Sequence, residues 1–401
     1  MRWAFLGIEH SKNVPSHFSF LSEHRHFSCT QFYVYSSTST TQVRMSTTGS
    51  EQYRGQLLIE RIAERSHVDS LAHRIPRFNL YPPYLLVGLV LFIEYGIFDL
   101  YNYFVSGKNS FIIEPNSLAV PAMVILSVVG ARYINDTYAD AITALRIDDR
   151  DISTDQALFE DLVSFRVQMA VAIVAWVAIQ GFNIFVLGFG ELIQINGIGS
   201  VIYSQLAYTF VYIPVLVEFV LAYFTVHFAV PRRIKKVGVS VFFYDPRKMG
   251  GFQSIGELLK RSYYLYTLTL ILYFFQTKGP VIMSQYTAAP YSAPNAPIVE
   301  VVLSAAWIVG IVTIGYSMYR IHSIMKNQKE RRIRELEGEL TDVMERPFKI
   351  RETEITDQDQ YERIRDRLQH VQDTQTYPTT FTMWSQIFLS VLLPQALNLV
   401  V

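Results

Sequence analysis

From residue 84 onward, long apolar stretches alternate with short charged ones. Apolar runs occupy 84–105, 118–131, 167–190, 201–230, 262–277 and 301–319, and a further run, 380–401, reaches the last residue. About 20 residues of helix cross the hydrocarbon, so four of the first six are long enough outright. The second and fifth are shorter and need flanking residues such as Arg132 and Lys278 to reach the interface. The pattern predicts an all-α, polytopic transmembrane helix bundle with six spans within 81–320. Within the preceding segment, 45–80, the stretch 51–75 is charged and carries a short stripe of Leu57, Leu58 and Ile62, as in a helix lying on the membrane surface.

After the bundle, 320–345 and 357–375 are charged helical patterns separated by Pro347. Leu336, Leu340 and Val343 in the first, with Tyr361, Ile364, Leu368 and Val371 in the second, recur at spacings of three and four. A helical hairpin over 321–379 that buries its own stripe is the expectation. The alternative is a coiled coil between subunits of a homo-oligomer, although fewer than three heptads are present. Residues 380–401 are expected to embed in the membrane, as a crossing or as a half-crossing bent at Pro394. Ser153 with Gln156, and Ser254 with Glu257, fit capping boxes that would start the helices leading into the third and fifth spans.

Charge fixes an orientation. Lys+Arg and Asp+Glu are both 35, so no global basic field points to nucleic acid. Only 17% of residues are charged, and they are segregated, as a bilayer requires of ionised groups. Arg54, Arg61, Arg65, Arg74 and Arg77 precede the first span, and 231–261 and the segment after 319 are also basic. The alternate loops hold Lys108, none in 191–200, and Lys278. By the positive-inside rule the N-terminus and the basic loops face the cytoplasm of a multi-pass plasma-membrane protein.

The first 44 residues differ in composition. They hold Cys29, the one cysteine, together with His10, His17, His24 and His26, at spacings that match no zinc motif. A disordered or over-extended leader, with Met45 as the initiator, is the expectation. A single cysteine also excludes an internal disulfide.

Candidate chemistry lies mainly inside the bundle. Glu94 in the first span and Glu218 in the fourth lie roughly 15 Å and 18 Å from the cytoplasmic ends of their helices. No Lys or Arg falls at that level, and Pro214 frees the carbonyl of Phe210 one turn before Glu218. With Asp99 further out on the first span, these groups compose an ion or proton site. The alternative is a protonated glutamate bonded to a tyrosine such as Tyr95 or Tyr212.

In the 132–161 segment, NDTYAD resembles the NDxxDxxxD motif of membrane prenyltransferases, one residue too long. That resemblance would make Asp136 and Asp140 metal ligands, although no second aspartate-rich motif follows, and a solvated acidic face is the competing reading.

The segment Asp245-Pro246-Arg247-Lys248-Met249-Gly250-Gly251 resembles the DPxxxGG loop of uncharacterised prokaryotic six-span membrane proteins, a likeness that extends over roughly 230–401. It implies no particular activity. Physically, Pro after Asp starts a turn and paired glycines permit left-handed φ.

Phosphate loops, serine elbows, HExxH and potassium-filter motifs are absent, and no cofactor is indicated. Small-ion transport or conduction leads. A sensor or scaffold acting through the charged helices, and a membrane-embedded lipid-modifying enzyme, are the alternatives.

Overall fold

A computed structural model describes residues 53–73, 80–106, 111–112, 115–147, 157–187, 190, 193–194, 197–286, 297–349, 351 and 353–377. The leader with Met45, the capping pair Ser153 and Gln156, and the stretch 380–401 lie outside the described residues.

The fold is an all-α bundle. Among the described residues five helices are long and apolar enough to cross a membrane: α3 (Pro82–Val105), α4 (Pro115–Ala144), α5 (Phe165–Phe185), α6 (Ile198–Val237) and, within α8 (Pro297–Asp342), its Val301–Asp342 part. Two short helices, α1 (Leu58–Arg65) and α2 (Val68–His73), precede them. The predicted fifth span falls in α7 (Gln253–Tyr286), which is missing from those five. Its core is rich in tyrosine (Tyr263, Tyr264, Tyr266, Tyr273), so it is less apolar than the others, yet its 34 residues make roughly 51 Å of helix.

Two spans extend further than their apolar runs imply. α4 continues through 132–144 because Ile134, Tyr138, Ala141 and Ile142 keep a buried stripe at helical spacing. In α6, Val226, Val230 and Ile234 do the same at intervals of four. Gly238 then ends α6 in the left-handed region (φ 73), with Val239 N–H donating to Ile234 O at 3.3 Å and Gly238 N–H to Lys235 O at 3.3 Å. This is a Schellman stop, where a side chain would strain the backbone. The extended ends of α4, α6, α7 and α8 share one core containing Ile142, Leu145, Val230, Ile234, Leu258, Ile321 and Met325.

α4 lies at the centre, with α3, α6 and α7 packed on it, α5 outside α6, and α8 against α7. The helices widen into π-helical turns at Phe92–Asp99, Asn183–Leu187, Tyr208–Tyr212 and Thr225–Ala229. Two of these end just before Pro214 and Pro231, whose missing N–H groups break the regular ladder. The turn in α3 contains Glu94 and has no proline.

Beyond α8, β1 (Met344–Glu345) and β2 (Glu354–Ile355) form a two-residue antiparallel pair that turns the chain. α9 (Gln358–Asp373) then packs back along α8, with Leu336, Val343, Ile364 and Val371 buried between them. The hairpin therefore covers its own stripe. Asp357 caps α9 by accepting from Gln360 N–H at 3.0 Å. The expected cap at Ser254 does not form. Its hydroxyl donates to Ala141 O at 3.4 Å, and Glu257 pairs with Lys260 at 2.7 Å and Arg261 at 3.7 Å.

Candidate functional site

Glu94 projects from the π-helical turn of α3 toward the π-helical turn of α6. Its Oε1 accepts from Ser204 Oγ at 2.8 Å, and its Oε2 accepts from the Tyr212 hydroxyl in a short hydrogen bond. Tyr203 donates to the carbonyl of Val90 at 3.0 Å, at the turn where α3 widens. Tyr208 stands edge-on to Tyr212 with ring centres 5.0 Å apart, and Phe98 packs on Tyr203 at 5.1 Å. A carboxylate thus sits in an aromatic and hydroxyl-lined recess, and α3 and the 198–231 part of α6 contain no Lys or Arg. π-helical turns recur at functional sites because they redirect side chains that a regular helix would hold apart.

Asp99 lies five residues further along α3 and accepts from Phe111 N–H at 2.9 Å. It ties the end of the helix to the following turn, and Asn102 is buried one turn beyond it.

Glu218 belongs to a different environment. Its Oε1 accepts from Leu58 N–H at 2.6 Å, and the side chain is 2% exposed. Leu57, which precedes α1, has no side-chain acceptor, so the orphan amides of the helix start need partners from elsewhere. Glu60 Oε2 takes Leu57 N–H at 2.9 Å and Glu218 takes the next. The six residues from Tyr212 to Glu218 put the two carboxylates roughly 9 Å apart along α6. Counting from Val230 as the end of a span sets them level, whereas α6 runs on to Val237 and buries Val226, Val230 and Ile234 in the shared core.

Beside this cap is an ion-paired cavity of about 410 Å³ lined by Arg54, Gln56, Glu60, Tyr81 and Arg132 among others. Asp136 pairs with Arg54 at 3.1 Å and Arg132 at 3.6 Å, and the Arg132 guanidinium lies 4.0 Å over the Tyr81 ring. Burial and the nearby Glu60 and Glu218 carboxylates push the Tyr81 phenol well above its ordinary range. Asp140 is exposed one turn from Asp136. The two aspartates are on a helix rather than a loop, and Asp136 is already neutralised. Among the described residues no group of three His, Cys, Asp or Glu side chains is placed to hold a metal ion.

The Asp245-Pro246 segment forms a clasp. Asp245 accepts from the N–H groups of Arg247 (3.0 Å), Met249 (3.2 Å) and Gly251 (2.9 Å). Gly250 (φ 62) and Gly251 (φ 76) occupy the left-handed region, and a Cβ on Gly250 would lie 2.6 Å from Val241 Cγ1. The turn presents Lys248 O to Gln375 N–H at 2.7 Å and Lys248 Nζ to Asp373 at 2.8 Å. From α8, Gln328 bonds both Val241 N–H (2.7 Å) and Val239 O (2.8 Å), and Lys329 reaches Gln372 O and Thr374 O, each at 2.7 Å. The chain between α6 and α7 is thereby fastened to α8 and to the end of α9.

Ser204 and Tyr203 are not marked by the sequence, because a lone hydroxyl in an apolar helix carries no pattern. Spacing gave no signal either, since at 3.6 residues per turn Ser204 and Tyr203 are turned roughly 80° and 180° from Tyr212, and only the packing of α3 on α6 brings both against α3. Compared with family models, curated proteins and solved structures, the chain matches none.

Proposed function

We propose that the chain is a multi-pass membrane protein that moves protons or a small cation through a site centred on Glu94, with Asp99 further along the same path. The observation that carries this reading is the Glu94 carboxylate, which meets hydroxyls and no basic side chain where the π-helical turns of α3 and α6 face each other. An isolated charge at mid-membrane costs at least about 2.5–3.5 kcal/mol, so such a carboxylate favours taking up a proton or a cation. Ser204 and Tyr212 supply oxygens that can stay bonded in either state. Glu218 serves as the anchor of α1.

Proton or cation flux in proteoliposomes tests this. Glu94→Gln keeps shape and hydrogen bonding while removing the titratable group, and should reduce flux at least tenfold. Glu218→Gln should retain most of it. Undiminished flux in Glu94→Gln would eliminate the site. Absence of wild-type flux under every gradient would favour a sensor or scaffold instead, a reading supported by the clasp that couples α9 to the turn between α6 and α7.

A further inference from the structure

α1 borders a second feature on the side away from the ion-paired cavity. A groove of about 460 Å³ runs between α1, α5 and α6. Its walls are apolar: Phe165, Met169, Ile173 and Trp176 from α5, with Phe210 and Pro214 from α6. α5 leaves this surface open, since among the described residues of the helix only Gln168 and Ala172 are buried. Two arginines, Arg61 and Arg65, complete the lining. The Arg61 guanidinium sits 4.0 Å over the ring of Phe165, the first residue of α5, and so marks one end of the groove. Trp176, bonded through its indole N–H to Thr209 Oγ1 at 3.0 Å, lies toward the other.

The dimensions and charges fit one kind of occupant. From Phe165 to Trp176 the helix advances roughly 16 Å, about half of a hydrocarbon layer roughly 30 Å thick. The groove therefore has the depth of a single leaflet, with its cationic end at headgroup level. The carboxylates of α1 are engaged elsewhere: Glu60 with Arg54 and Tyr81, Glu64 with Gln56. Arg61 donates to Gln56 Oε1 at 3.0 Å, and neither Arg61 nor Arg65 has a carboxylate partner among the described residues. Guanidinium groups with no carboxylate partner among the described residues, set above an apolar channel, match a phosphate on an acyl chain.

We propose that the groove binds an anionic glycerophospholipid, one acyl chain lying along Met169, Ile173 and Trp176 and the headgroup phosphate on Arg61 and Arg65. Because α1 is anchored on Glu218 of α6, lipid occupancy would bear on the helix that also carries Ser204 and Tyr212.

Tryptophan quenching tests this in the full chain. Trp3→Phe, Trp307→Phe and Trp384→Phe together leave Trp176 as the reporter. The detergent-solubilised protein is titrated with phosphatidylglycerol or phosphatidylcholine carrying brominated acyl chains. Phosphatidylglycerol should reach half-quenching at a mole fraction roughly tenfold lower, a few-fold for each arginine. Arg61→Gln with Arg65→Gln should remove that preference and leave the phosphatidylcholine curve unchanged. Arg65→Gln alone, at an exposed position, should remove part of it and serves if the double variant does not fold. Equal midpoints for the two lipids in the parent protein, or a preference that survives loss of the arginines, would overturn the proposal.

Discussion

Buried carboxylates are defined by what donates to them. Glu94 receives two hydroxyls, groups that rotate and can donate or accept, so its surroundings tolerate a change of charge. Glu218 receives the backbone N–H of a helix start, which can only donate, on one oxygen, and its other oxygen is buried without a partner among the described residues. Tyr212→Phe should therefore preserve folding but slow the flux attributed to Glu94, by an amount the proteoliposome assay reads directly. Glu218→Ala should lower stability by about 1–3 kcal/mol, because it strands a buried amide at the start of α1. Thermal unfolding in detergent measures this, and Glu218→Gln, which keeps an acceptor, should recover most of the loss. An unchanged melting temperature in Glu218→Ala would mean that the cap contributes nothing. Both acids were visible in the sequence as charges in apolar runs. The difference in their surroundings was not, because it depends on Leu58, 160 residues away along the chain.

At the scale of elements, the clasp around Asp245 is the feature most open to test. Gly250→Ala combines a left-handed φ, at roughly 1–2 kcal/mol, with the Cβ contact on Val241. It should loosen the turn and free α9, read as faster limited proteolysis within 358–373. The Lys248–Asp373 pair adds a pH dependence. Its hydrogen bond to Lys248, together with that cation's charge, holds the Asp373 carboxyl below the usual aspartate range. A carboxyl whose folded value is depressed contributes stability above the ordinary aspartate value of about 3.9 and loses it as pH falls further. Pepsin cleavage of α9 should thus accelerate below about pH 4 in the parent more than in Lys248→Ala, by a modest factor, because the pair is exposed. The hairpin itself was legible: Leu336, Val343, Ile364 and Val371 stand at helical spacing and are buried together. The clasp was legible only as a turn, since Gln328 and Lys329 look like ordinary surface residues of a charged helix. The ends of α4 and α6 were missed for a related reason. Hydropathy falls where charges enter, but the buried stripe persists and keeps the helix going.

For the whole molecule, the contacts at one end of the bundle restrict the number of crossings. The chain leaving α6 at Gly238 is bonded to α8 by Gln328 and to the end of α9 by Lys248. The departure from α6 and the far end of α8 therefore share a side. If α8 crosses the membrane, an odd number of further crossings must separate them, and α7 is the helix available. Its length permits this, and its tyrosines make it less apolar than the other long helices while it packs against α4. The same reasoning joins the other ends. Arg54 pairs with Asp136 on the extension of α4, and Ile142 and Leu145 share a core with Val230 and Ile234 of α6. Six crossings satisfy every one of these contacts, and five do not. Basic residues concentrate on this side, and on the positive-inside rule we propose that it faces the cytoplasm. In a protein carrying Cys29→Ser, a cysteine introduced at Ile112 or Lys278 should react with an impermeant maleimide in intact cells. One introduced at Ser240 should react only after permeabilisation. Reaction at Ser240 and Ile112 alike would place the start of α4 and the departure from α6 on one side, which three crossings between them do not allow. Reaction at Ile112 without reaction at Lys278 would show instead that α7 turns back on the side from which it starts.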